Sequence, residues 1–74
     1  MKIFNIMEFR VGDLVQLKSG GPEMTVCQYP FEDIDGNKYP NRIQCRWFDN
    51  EGKIKHLVFF DTNLNAVTIS SKLL

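Results

Sequence analysis

Apolar and polar side chains alternate in short runs along most of this chain. In Val11-Gly12-Asp13-Leu14-Val15-Gln16-Leu17-Lys18, the residues Val11, Val15 and Leu17 alternate with Gly12, Leu14, Gln16 and Lys18, which is the period of a strand. Ser19-Gly20-Gly21-Pro22 ends the run, because two glycines admit positive φ and the proline lacks a donor, so a hairpin is expected. Residues 23–29 then place Met24, Val26 and Gln28 on one side and Thr25, Cys27 and Tyr29 on the other. Strict alternation returns at 42–48, with Ile43, Cys45 and Trp47 expected inward and Gln44, Arg46 and Phe48 outward.

Between these runs, Pro30 to Asn41 holds two prolines, two asparagines and Asp35-Gly36, which predicts a long loop or a short extra hairpin. Asp49-Asn50-Glu51-Gly52 reads as a tight turn. Residues 53–60 begin as an alternating strand and become wholly apolar, the signature of a strand buried on both sides. Residues 61–65 suit a helical turn, and Ala66 to Ser70 a last short strand. Five short strands with frequent turn signals and no amphipathic helix predict an all-β fold, a small bent sheet closed into a five-stranded barrel with a long loop between its second and third strands. The expected core is Val11, Val15, Leu17, Met24, Val26, Ile43, Cys45, Trp47, Leu57, Phe59, Leu64 and Val67.

Seventy-four residues suffice for one domain, read as 1–74, and leave so thin a core that large apolar residues are committed to packing first. Nine basic and nine acidic side chains cancel, so no global field draws the chain to nucleic acid or an anionic membrane. No segment approaches the length of a membrane span or a signal peptide, and a cytoplasmic location is expected. Cys27 and Cys45 form no CxxC pair and have no second ligand cluster, so no metal site is expected and both read as reduced, buried thiols.

Three segments carry a likeness to a known family: GDLVQLKSGGPEMTV at residues 12–26, CRWFD at 45–49, and the stretch from Phe59 to Leu64. Together they span about residues 9–64 and resemble the YodC-like family of small, largely uncharacterised bacterial proteins. That resemblance implies a compact β fold, here taken as an SH3-like barrel, and a bacterial or phage setting, without an established reaction. Pro30 to Asn41 departs from the family pattern as an enlargement, and the terminal MKIFNIME and SSKLL lie outside the matched region.

Chemistry is sparse. The single histidine, His56, has only Cys27 and Cys45 as potential nucleophilic partners, and no catalytic residue or cofactor is expected. Ser19-Gly20-Gly21-Pro22 lacks the lysine and following helix of a phosphate loop and reads as a turn. The leading expectation is non-enzymatic recognition of a protein or peptide through Tyr29, Phe31, Tyr39 and Trp47 around the long loop. The alternative is nucleic-acid binding by Arg42, Arg46, Phe48, Lys53 and Lys55. The chain itself is expected to be a monomer or a weak homodimer.

Overall fold

A computed structural model of the chain describes residues 9–67. Among them are seven strands: β1 (Leu14–Leu17), β2 (Met24–Gln28), β3 (Phe31–Glu32), β4 (Lys38–Tyr39), β5 (Arg42–Phe48), β6 (Ile54–Phe60) and β7 (Leu64–Ala66), with one 3-10 turn over Asp61–Asn63. Five strands form an antiparallel sheet in the order β6-β5-β2-β1-β7, while β3 and β4 make a separate two-stranded hairpin.

The strands lie where β-branched and aromatic residues alternate, and they stop at glycines held at positive φ. Gly36 (φ 88°) and Gly52 (φ 80°) occupy the β3–β4 and β5–β6 turns, conformations an L side chain rarely adopts. An aspartate organises each turn. Asp33 Oδ1 accepts the backbone N–H of Asp35 and Asn37, and Asp49 Oδ1 accepts those of Glu51 and Lys53.

One face of the sheet carries the core. Val15 lies opposite Met24, and Val26 opposite Cys45; these four with Ile43 and Leu64 are at most 2% exposed. Phe9 joins them, and Leu17, Tyr29, Trp47 and Phe59 pack around the margin. Among the described residues no α-helix covers this face, and its side chains are buried by the sheet curling across its own inner face. A shift in register between Val26 and Gln28, where two residues oppose one, adds to the local bend.

The barrel expected from the alternation is not closed. Among the described residues the outermost strands β6 and β7 each pair on one side only, so the sheet is curled but open. The enlargement at 30–41 is the β3–β4 hairpin, with Phe31 opposite Tyr39. The last strand starts two residues earlier than expected, at Leu64, and the end of the expected strand, 68–70, lies outside the described residues.

Two expected core residues are at the surface. Val11 is 66% exposed because it sits at the tip of a turn, closed by the N–H of Asp13 on the carbonyl of Arg10, ahead of β1. Leu57 is 56% exposed because β6 is an edge strand whose inner-face side chains reach beyond the covered part of the sheet. Leu17, Trp47, Phe59 and Val67 are half-buried rather than central.

Candidate functional site

The β5–β6 ladder runs without interruption from Arg42–Phe60 to Phe48–Ile54. Residues directly opposite share a face, so Arg42, Gln44, Arg46 and Phe48 lie beside Phe60, Val58, His56 and Ile54 on the outer surface. Phe48 is 68% exposed, and Ile54, Val58 and Phe60 also show substantial apolar area to solvent. No carboxylate lies among these eight positions.

At one end of this face the hairpin supports an arginine. Phe31 stacks on Tyr39 with ring centroids 6.0 Å apart. The Tyr39 hydroxyl donates to Asp33 Oδ2 at 2.9 Å, which anchors the ring to the hairpin turn. The Arg42 guanidinium then sits between two aromatic faces, 5.2 Å from the Tyr39 centroid and 4.7 Å from that of Phe60. Two rings within cation–π distance restrict the arginine side chain, whose guanidinium can offer paired N–H donors to a carboxylate. Beside it opens a cleft of about 370 Å³ lined by Arg42, Val58, Phe59, Phe60 and Asn63. Among the described residues the ion pairs are Lys53–Glu51 and Lys55–Asp49, and no carboxylate pairs with Arg42.

The electrostatics of the hairpin follow from Asp33. Its carboxyl is held below the usual 3.8, first by the Asn37 backbone N–H and further by the Tyr39 hydroxyl and the Asn37 side chain. In return, the hydrogen bond to Asp33 and that residue's charge push the Tyr39 phenol above its usual 10.

The four expected recognition residues therefore do not form one surface. Phe31 and Tyr39 meet in the hairpin. Tyr29 turns its ring toward Phe9, 6.3 Å away, and donates its hydroxyl to Asp61 Oδ2 at 2.7 Å. Trp47 is on the inner face, with its ring 6.5 Å from that of Phe59. The alternative set divides as well. Arg42, Arg46 and Phe48 share the outer face, Lys53 lies in the turn against Glu51, and Lys55 is opposite Trp47 and reaches Asp49. Phe60, Val58 and Ile54 were absent from both sets, although the apolar run ending β6 was the signal that marks them.

Among the described residues neither cysteine meets His56. His56 lies on the outer face, whereas Cys45 is buried on the inner one, where burial, reinforced by the neighbouring Cys27 thiol, pushes its pKa to about 11. Cys27 Sγ instead contacts the carbonyl and side-chain oxygens of Gln44, both at 3.4 Å. No group of three or more His, Cys, Asp and Glu side chains suited to a metal occurs among the described residues. In the glycine turn the N–H of Gly20 is already bonded to the carbonyl of Leu17. No helix of the described residues is long and apolar enough to cross a membrane.

No curated protein and no solved structure matches this chain. A family model does match, over residues 10–64, and this span takes in the open sheet, the hairpin and the Arg42 cleft. The chain belongs to the DUF2158 family of uncharacterised small proteins.

Proposed function

We propose that this is a non-enzymatic recognition domain that binds an acidic segment of a protein partner at the cleft beside Arg42. The observation that supports the reading is the guanidinium set over the rings of both Tyr39 and Phe60 at the lip of a partly apolar cleft, with no carboxylate of the described residues paired to it. A planar, pre-oriented arginine suits bidentate capture of a carboxylate, and the rings and Val58 supply apolar contact around it. Tyr39 and Phe31 act in this reading as the platform beneath the arginine. The strand order, with a 3-10 turn ahead of the last strand, supports an SH3-like arrangement left unclosed. The YodC-like name is compatible with the family match, and the setting proposed with it is the cytoplasm of a bacterium or a phage-infected cell.

A bait prepared from the whole chain, exposed to bacterial lysate with and without nuclease, tests this. The expected result is capture of a protein that survives nuclease and is lost with Arg42→Gln, a variant whose fold is checked by circular dichroism. Capture unaffected by Arg42→Gln would overturn the assignment of the cleft.

A second reading has its own support: Arg42, Arg46 and His56 share the outer β5–β6 face with Phe48 and Phe60, a combination suited to stacking bases along a single strand, with Glu23 as the carboxylate beside Arg46. Capture abolished by nuclease, falling steeply with salt and lost in Arg46→Gln, would favour it over the protein partner.

A further inference from the structure

Among the described residues no strand pairs with the far side of β6, a backbone edge that borders the Arg42 cleft but is distinct from the guanidinium and rings that define it. The N–H of Asp61 bonds the carbonyl of Asn41, and the N–H of Asp49 that of Lys53, so these two pairs are the hydrogen-bonded kind. Alternation along the antiparallel ladder turns the backbone groups of 55, 57 and 59 toward β5. Those of Ile54, His56, Val58 and Phe60 therefore point off the sheet. Edges of this length are ordinarily blunted by a proline, a bulge or charged side chains. β6 has no proline and no shift in register, its one lysine, Lys55, lies at the turn end, and Leu57 to Phe60 are all apolar.

We propose that this edge pairs with the same edge of a second copy of the chain, antiparallel, with the two-fold axis at Leu57. Centring there matches the whole of β6 with its partner: Ile54 opposes Phe60, Lys55 opposes Phe59, His56 opposes Val58, and Leu57 opposes itself. Hydrogen-bonded pairs then fall on the even positions, whose backbone groups face outward, so the register satisfies both edges at once. Just beyond the strand it sets Lys53 against the partner's Asp61, twice by symmetry, and opposes no like charges. A register centred on His56 would instead place Glu51 against Asp61, and one centred on Val58 would leave Ile54 and Lys55 off the strand. Zero formal net charge leaves no long-range repulsion between copies. The exposed half of Leu57 would be covered by its counterpart, and the two outer apolar stripes would join. One strand pair is a small interface, so association in the micromolar range is expected.

Sedimentation equilibrium of the intact chain from about 5 to 500 μM tests the proposal. The mass should rise with concentration from 8.6 kDa toward twice that value. Val58→Pro removes an outward N–H without touching the β5 ladder, and Leu57→Glu sets two carboxylates face to face across the axis. Both should hold the mass at the monomer value while Trp47 fluorescence and circular dichroism stay unchanged. If Val58→Pro does not fold, Leu57→Glu decides. A wild-type chain that stays monomeric throughout, growth beyond a dimer, or a dimer indifferent to Leu57→Glu would each overturn it. Leu57→Glu leaves every residue lining the cleft in place, so lysate capture by that variant tests the cleft independently of the edge.

Discussion

Ile43→Ala and Leu57→Ala remove the same number of carbons from the inner face of adjoining strands, yet they should differ severalfold in cost. Ile43 is fully buried and opposite Phe59, so truncation leaves a closed cavity among Val15, Val26 and Leu64, worth roughly 2–5 kcal/mol. Leu57 is more than half exposed, so less than half of a leucine's burial is at stake, with no sealed void, for under about 1 kcal/mol. A domain this small has only about 5 kcal/mol in all, so the first change should bring the protein near the edge of unfolding. Trp47, the one tryptophan, is half-buried against Phe59 and reports unfolding by fluorescence. In urea, with a slope near 1 kcal/mol per molar for so short a chain, the midpoint should fall by roughly 2 M or more for Ile43→Ala and by less than about 1 M for Leu57→Ala. The comparison belongs at low micromolar protein, where β6 is uncovered. Equal midpoints there would mean that Leu57 is buried within the monomer and that β6 is not an open edge.

Three further outcomes follow from the turns and the core. Asp33 and Asp49 titrate below their unfolded value of 3.8, so the stabilisation from their ionised forms is complete above about pH 4 and lost as pH falls through the folded values. Protection factors of the Asn37 and Lys53 amides, taken relative to intrinsic exchange at each pH, should fall on acidification below pH 4 and stay constant between pH 6 and 8, and protection that holds through the acid limb would refute the assignment. Tyr29→Phe deletes a hydrogen bond to the Asp61 carboxylate and should cost about 1–2 kcal/mol, seen as a Tm lower by roughly 5–10 °C; an unchanged Tm would count against that bond. Cys45, fully buried with a pKa of about 11, should resist iodoacetamide at pH 8 until the protein is unfolded, and native-state labelling of that thiol detected by mass spectrometry would contradict its burial.

Much of the sheet was legible because alternation and turn chemistry agree. The span of β5 matches its run of alternating residues, and Asp35-Gly36 and Asp49 to Gly52 mark the β3–β4 and β5–β6 turns. Closure was not legible, since whether two edges meet depends on curvature across strands rather than on the period within one. Leu57 was misplaced for that reason: an apolar run reads alike in a strand buried on both faces and in an edge strand with sticky faces. Phe9 was missed because one aromatic ahead of the first strand has no period, and only the packed fold brings it to Tyr29. The cleft needed Tyr39, Arg42 and Phe60 to converge, and only the hairpin supplies the first beside the other two.

The 3-10 turn has a consequence for how the chain matures. It carries the backbone from β6 at one rim to β7 at the other, where Ala66 pairs with Val15, about fifty positions earlier in the chain. Its Asn63 carbonyl receives the N–H of Lys18, so the crossing is stitched to the end of β1. During synthesis, β1 must wait with one flank unsatisfied until β7 has left the ribosome, and Leu64, which seals the interior, follows every other buried core residue of the described chain. A nascent chain halted before residue 64 should therefore be a protease-sensitive intermediate with β1 and β2 already paired, and docking of the final strand is the step that makes the domain resistant.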